Sequence, residues 1–291
     1  MARVLITGTS SGIGLATAVA FAKAGHTVHA TMRNPGRAPE LGRRAAAEAL
    51  PITITAMDVD SDESVKAGLT RIVNEAGAID VLINNAGIER SGSVEELALA
   101  EFRAVMETNY FGALRCIQGV LPAMRERRSG CIINVASVAG HIACSPLAPY
   151  TASKFALEAL SESLAQEMKP FNVRVAIVEP GIIDTAMARS IETSGGPSLY
   201  PQQRRFAGMF TASLQNPAPP SLVAEKMVEI VDSGTWRLRH PVGPDAEGFL
   251  GWRKAMTDEE WVDWGALDDD AWYNRVQADF GMDARPRAST V

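Results

Sequence analysis

The chain has 291 residues, 46 % of them hydrophobic and 21 % charged, with a net charge of −6. That length suits one large α/β domain or two small ones, and the composition is that of a soluble globular protein. Several classes are excluded. No apolar run reaches the length of a membrane span, and no Lys/Arg stripe interleaved with aromatics marks a nucleic-acid surface. Cys116, Cys131 and Cys144 are widely spaced without a CxxC pair, which argues for a reducing cytoplasm and against a zinc site or disulfide framework.

Short apolar runs alternate with amphipathic stretches from the start. Val4–Ile6 is predicted as a strand, beginning at about Arg3 and leaving no room for a signal peptide. Gly12–Lys23 is then a helix, 27–31 a strand, 38–50 a helix and 52–57 a strand. Ser61 caps a helix over 62–75 that carries acidic residues in its first turn. Strands over 79–83, 131–135 and 173–178 follow, separated by a long helix over 99–127 and another over 150–168. A helix over 221–232 and a short strand over 236–239 close the alternation. Alternating β and α with near-continuous Val/Ile strands predicts one doubly wound parallel sheet with ligands at the carboxyl ends of its strands. Two stretches fall outside this pattern. Residues 184–220 are rich in Gly, Pro and Ser. Residues 241–291 hold four of the five tryptophans, and within them 257–283 carry nine acidic groups and one arginine, leaving the rest of the chain at about +2.

The chemistry sits at the strand ends. After the first strand come Gly8, Ser10, Ser11, Gly12, Ile13 and Gly14. Glycines let the backbone turn sharply toward a pyrophosphate at a helix N-terminus, although the spacing G-xxx-G-x-G is not literally GxGxxG. The second strand ends in Arg33 with no Asp or Glu, which favours the 2′-phosphate of NADP over the 2′-hydroxyl of NAD. Asp58 and Val59 end the third strand, where Asp58 accepts from an adenine amino group or caps the next helix. Asn85, Ala86 and Gly87 end the fourth and suit close backbone approach to a cofactor. Ser137 follows the fifth, either as a donor to a substrate carbonyl or as an ordinary loop residue. Of the four tyrosines only Tyr150 has a lysine, Lys154, four residues on. One helical turn puts the pair on one face, where the ammonium is expected to pull the phenol toward neutrality.

Together these motifs resemble the short-chain dehydrogenase/reductase family over residues 2 to about 240. TGTSSGIG matches its TGxxxGxG turn, NNAG its strand-four motif and Tyr150-Thr-Ala-Ser-Lys154 its YxxxK. Ser137 and Asn109 fall where its other two catalytic residues fall, and Pro180, Gly181, Ile183 and Thr185 match its PGxxxT. Ser11 with Arg33 resembles the NADP-preferring steroid and retinol reductases. The resemblance implies a Rossmann-like fold, NADP(H), and hydride transfer without a metal. Tyr150 would be the proton donor and acceptor, and Lys154 would hold the nicotinamide ribose. Ser137 would polarise the carbonyl, Asn109 would anchor a water, and Thr185 would contact the carboxamide. With no internal repeat and no low-complexity linker the chain reads as one domain, 1–240 being catalytic with 184–220 as substrate loop and 241–291, a departure from the family pattern, packed on it; a homodimer or homotetramer is implied by the resemblance alone.

Family geometry puts the substrate among His141, Cys144, Leu147 and Met187, with Ile88, Ile142, Leu199, Tyr200, Phe206, Met209 and Phe210 nearby. This largely apolar set points to a lipophilic ketone, aldehyde or alcohol. Trp261 and Trp264 share a helix face, and the acidic tail packs on the domain or a neighbouring subunit, or covers the pocket as a lid. Two rivals stand against this reading. A non-catalytic NADP(H) sensor of the same fold needs neither Tyr150, Lys154 nor Ser137. An extended sugar-nucleotide epimerase needs glycine where this chain has Ser11, and a larger C-terminal domain.

Overall fold

The structure, a computed structural model, describes residues 1–194 and 197–286. Seven parallel strands form one sheet in the order β3-β2-β1-β4-β5-β6-β7: β1 (Arg3–Thr7), β2 (Thr27–Met32), β3 (Ile52–Ala56), β4 (Val81–Asn84), β5 (Gly130–Val135), β6 (Val173–Pro180) and β7 (Arg239–Val242). The strands are buried on both sides, so their alternate residues feed two cores. Val4, Ile6, Val81, Ile83 and Ile133 pack beneath α1 (Gly12–Lys23), α2 (Glu40–Ala47) and α9 (Pro220–Ser233). Leu5, Leu82 and Ile132 pack on the other side beneath α3 (Asp62–Ala76), α5 (Gly112–Glu126) and α6 (Ala148–Met168). Each fully buried Leu, Ile or Phe in these layers contributes about 1.5–3 kcal/mol.

Local signals explain most boundaries. Ser61 caps α3 by accepting from Ser64 N at 3.1 Å, and Gly77, at φ 83°, ends that helix. The predicted 38–50 helix shortens to α2, entered through Pro39. The predicted 236–239 strand is displaced to β7, whose register runs from Ile177↔Arg239 to Pro180↔Val242. Trp236 is exposed instead, its ring centroid 3.4 Å from Lys169 Nζ. The long 99–127 helix is broken into α4 (Leu99–Met106), a π-helical turn (Glu107–Phe111) and α5. There the Gly112 N–H reaches back to Glu107 O, a wide turn of the kind found at functional sites.

The 184–220 stretch is more ordered than its composition implies. It forms α7 (Ala186–Glu192), capped by the Thr185 hydroxyl, and α8 (Gln202–Ser213). Phe206, Phe210 and Leu214, spaced four apart, bury together. The acidic tail forms α10 (Ala246–Lys254), α11 (Asp258–Ala266) and α12 (Asp269–Phe280). Much of its charge lies in first turns: Asp258, Glu259 and Glu260 open α11, with Thr257 and Glu260 in a capping box, and Asp269 and Asp270 open α12. Negative charge there complements the helix dipole. The strand order reverses between β1 and β4, and the crevice at that switch point holds the site.

Candidate active site

A single cavity of about 540 Å³ runs along the carboxyl ends of β1–β6. At one end the chain leaves β1 through Gly8 at φ 70°, where a Cβ would sit 2.6 Å from Ala86 Cα. Asn85 builds this turn: its Nδ2 donates to Thr7 O at 3.0 Å and Gly8 O at 3.1 Å. The Thr7 hydroxyl accepts from the N–H groups of Asn85 and Ala86, both at 3.0 Å. The Asn85 side chain therefore shapes the cradle instead of reaching out from it. A Cβ on Gly14 would collide with Gly8 O, so that position is closed to larger residues.

Gly12, at φ 54°, opens α1, and its N-cap Ser11 makes no side-chain capping bond. The first N–H groups of α1 are left for an anion, and Ser10, Ser11, Gly12, Ile13 and Gly14 all line the cavity. Arg33 lines it too, is exposed, and makes no ion pair among the described residues. Asp58 and Val59 lie on the same wall. Of the two readings of Asp58, capping of α3 falls away, because Ser61 does that; Asp58 Oδ1 instead accepts from Asp60 N at 3.2 Å. Backbone donors and the exposed Arg33 guanidinium thus line one groove, a set that fits a dinucleotide phosphate chain.

Tyr150 and Lys154 lie one turn apart on α6, with Lys154 Nζ 5.4 Å from the Tyr150 ring centroid. Lys154 is buried and donates to Val135 O at 2.8 Å. Burial pushes it down to about 8, against the pull of Glu158. Burial pushes Tyr150 up to about 12, with the Ser137 hydroxyl working the other way and Glu89 adding to the rise. In the chain by itself, then, the Tyr150 phenol is raised rather than lowered, with burial as the largest cause. Ser137 sits at the start of a 3₁₀ turn (Val138–Gly140). Its Oγ accepts from Ala139 N at 3.1 Å and donates only a long bond, 3.4 Å, to Pro180 O.

Asn109 lies on the π-helical turn and is 1 % exposed. Its Oδ1 accepts from Ile88 N at 2.8 Å, and its Nδ2 donates to Ile88 O at 3.0 Å and Ser153 Oγ at 2.9 Å. Both amide hydrogens are engaged, so its side chain ties the segment after Gly87 to α6. Pro180, Gly181, Ile183 and Thr185 line the cavity beside Gly12. A Cβ on Gly12 would lie 3.2 Å from Thr185 Cγ2.

On the substrate side, Cys144, Leu147 and Met187 line the cavity, as do Ile88, Ile142, Phe206, Met209 and Phe210. Burial pushes the Cys144 thiol up to about 12. His141 is a correction: it is not on the cavity wall. The 3₁₀ turn after Ser137 directs it behind α6, where Nε2 meets Glu179 Oε1 at 2.8 Å and Glu158 Oε2 at 3.6 Å. These carboxylates raise the imidazole to about 9. Potential ligand atoms of His141, Glu158 and Glu179 lie within 4.8 Å of one another, but Arg239 occupies the same cluster, 3.0 Å from Glu158 and 3.6 Å from Glu179. Leu199 and Tyr200 are likewise outside the cavity; both are exposed, and the Tyr200 hydroxyl bonds Glu95.

Sequence reasoning missed the cavity's far wall. Phe249 and Trp252 of α10, Trp261 and Trp264 of α11 and Trp272 and Phe280 of α12 all face it. Trp261 Nε1 donates to Ala143 O at 3.1 Å, pinning α11 to the loop before Tyr150. Among the described residues of the tail, α10–α12 lie against the cavity and the cluster around Phe206 and Phe210. Asp245 was missed as well; its Oδ2 accepts from Ile182 N at 2.9 Å and braces the turn after Pro180. Glu89, on the cavity wall with its carboxyl raised by burial, carried no sequence signal.

Fold and site define a nicotinamide-dependent oxidoreductase of the doubly wound class. Residues 2–195 match the short chain dehydrogenase family, and the chain belongs to it. It is 35 % identical, over 83 % of its length and 87 % of the relative's, to a 3-ketodihydrosphingosine reductase of Bacteroides thetaiotaomicron. It is 46 % identical to bovine (Bos taurus) retinol dehydrogenase 8 over 62 % of this chain and 59 % of that one. A variant of actinorhodin polyketide ketoreductase solved with NADPH superposes with a TM-score of 0.76 at 28 % identity, over 86 % of this chain and 97 % of that one. The family acts on CH–OH groups and their carbonyl counterparts. Among the described residues no helix is long and apolar enough to cross a membrane.

Proposed function

We propose that the chain is an NADP(H)-dependent oxidoreductase interconverting a lipophilic ketone or aldehyde and its alcohol, with Tyr150 as general acid and base. The observation carrying this reading is the continuity of one cavity. It runs from the uncapped start of α1 and Arg33, past Ser137, Tyr150 and Lys154, into an aromatic chamber. The preference for NADP rests on Arg33 and on the missing acid after β2, and the NADPH of the polyketide ketoreductase agrees with it. A charge-assisted Arg–phosphate contact contributes about 1.5–3 kcal/mol. The apolar chamber supports a lipophilic substrate, as do a ketodihydrosphingosine reductase and a retinol dehydrogenase among the relatives.

When bound, the nicotinamide supplies or accepts the hydride, and its oxidised form adds positive charge beside the phenol. Tyr150, pushed up to about 12, holds its proton at neutral pH and is ready to donate it to a carbonyl oxygen. The Ser137 hydroxyl, which donates only a long bond, to Pro180 O, is available to orient and polarise the carbonyl. Lys154 keeps two donors beyond its bond to Val135 O for the nicotinamide ribose. Asn109 holds Ile88 against α6, and any water it anchors is met by its backbone or remaining lone pair. Residues 1–240 then form the catalytic body and 241–286 its cover. Self-association through the half-exposed Phe111 and Phe155 belongs to the same reading.

The test is NADPH consumption against a panel of steroid, retinoid, long-chain and aromatic carbonyls. Wild type is expected to reduce a lipophilic member. Tyr150→Phe should bind NADPH normally and lose about 10³-fold or more in turnover. Undiminished turnover by the variant would remove Tyr150 from its role. Tight NADPH binding with no turnover of any carbonyl would favour the sensor reading.

A further inference from the structure

Among the described residues, the carboxylates on the cavity wall are Asp58, Asp60 and Glu89. Asp58 and Asp60 belong to the anion end. Asp60 accepts from the Thr108 hydroxyl at 3.0 Å, and the charge of Arg33 works on it. Glu89 belongs to the end where Tyr150 lies, and the mechanism gives it no task.

The segment carrying Glu89 is tied to the start of α6 on both sides. Before it, Asn109 holds the N–H and the carbonyl of Ile88. The same Asn109 donates to Ser153 Oγ at 2.9 Å, and the Ser153 hydroxyl donates to Tyr150 O at 2.7 Å. After it, Gly92 N donates at 2.9 Å to Pro146 O, in the loop that leads into Tyr150. Glu89 is therefore fixed beside the turn that carries the phenol, and its charge adds to the rise of Tyr150.

Its own partners are few. Oε1 accepts from the Ser91 hydroxyl. Oε2 has no hydrogen-bond partner among the described residues and is not one of the sealed polar atoms, so it keeps an open face on a residue that lines the cavity. No cation neutralises the group. Arg90, next to it, pairs with Glu101 at 2.5 Å and meets Glu89 only at the backbone O, 2.7 Å away. Half-buried, the carboxyl is raised by desolvation. A carboxylate so placed is costly until charge or donors join it. A plain hydrocarbon ketone brings neither. An ammonium brings both, with up to three N–H donors. It would also offset the charge of Glu89 at the phenol, which otherwise holds the Tyr150 proton more tightly.

We propose that Glu89 is a specificity-determining residue that receives an ammonium carried close to the reacting carbonyl. The preferred substrates are then long-chain amino ketones and the amino alcohols with which they interconvert. The substrate assignment rests on the oxidoreductase reading above; the binding of an ammonium at Glu89 does not.

The cavity carries its own reporter, since Trp252, Trp261 and Trp264 line it. Quenching of tryptophan fluorescence is measured as 1-aminododecan-2-ol or dodecane-1,2-diol is added to the full chain with saturating NADP⁺, at about pH 7, where an alkylamine is charged. Wild type is expected to bind the amino alcohol at least about tenfold tighter than the diol. Glu89→Gln should bring the amino alcohol down to the affinity of the diol, while Glu89→Asp retains part of the preference. Equal affinity of wild type for the two ligands overturns the proposal without any variant, and a preference that survives in Glu89→Gln overturns the assignment to Glu89. Turnover separates the two readings. If both alcohols are oxidised and wild type does not prefer the amine, the role of Glu89 falls and the oxidoreductase stands. If the amine is preferred, and neither alcohol is oxidised nor 1-aminododecan-2-one reduced, the oxidoreductase falls and the role of Glu89 stands.

Discussion

The floor and the roof of the cavity are built on opposite principles. The floor, from β1, β4, β5 and α6, is a network of polar groups tied to one another. Asn85 holds Gly8, Asn109 holds Ile88, and Asn84 donates to Asn134, which donates to Ser161. The roof, from α8 and α10–α12, is mostly aromatic rings, with polar atoms left unpaired among them. A floor of mutually hydrogen-bonded side chains, with Asn84 Oδ1 left unpaired among the described residues, holds the close geometry that proton and hydride transfer require. A roof of rings offers area and shape, which discriminate among substrates.

Breaking the floor should have the larger effects. Behind α6, Arg239 neutralises Glu158 and Glu179, which are buried at 4 % and 1 % exposure. Arg239→Met removes the nearer counter-charge of Glu158 and leaves Glu179 to His141 alone, and should cost about 3 kcal/mol of stability, read as a lower denaturant midpoint. At the groove's anion end, Arg33→Ser should weaken NADPH binding by about 2 kcal/mol, some thirtyfold, and leave NADH unaffected. Equal effects on both cofactors would deny Arg33 its phosphate.

The roof should respond differently. Trp261→Ala removes a ring and the bond to Ala143 O. It should raise KM for a lipophilic carbonyl about tenfold, roughly 1.4 kcal/mol, with little change in NADPH affinity. The smallest effect expected is a pH dependence. His141, raised to about 9 by Glu158 and Glu179, stabilises the fold as a cation. Because its folded value lies above its unfolded one, that contribution is complete below about pH 6.5 and is lost as pH rises through about 9. The imidazole is more than a third exposed, so the gain is held to about 1 kcal/mol by solvent screening. The melting-temperature difference between wild type and His141→Leu should shrink over that range.

The same contrast explains what the sequence disclosed. Floor residues sit at strand ends and at helical spacing, where periodicity and glycine chemistry assign positions, so Gly8–Gly14, Ser137, Tyr150 and Lys154 could be brought to one edge from the chain alone. The π-helical turn at Asn109 was hidden because Glu107–Phe111 spells ordinary helix. His141 was misplaced because side-chain direction in a loop has no period; a 3₁₀ turn rotated it toward Glu179. The roof was illegible for a different reason. Tryptophans and acidic caps announce helices with an apolar face, but not the surface those faces cover.

The most direct test sets floor against roof in one experiment. Turnover of a long-chain carbonyl and fluorescence-detected binding of its alcohol are measured for wild type, Tyr150→Phe and Trp261→Ala. The account predicts that Tyr150→Phe binds the alcohol as wild type does and does not turn the carbonyl over, whereas Trp261→Ala binds about tenfold more weakly and keeps its kcat. Loss of binding in the first variant, or loss of kcat with intact binding in the second, would contradict the division between floor and roof.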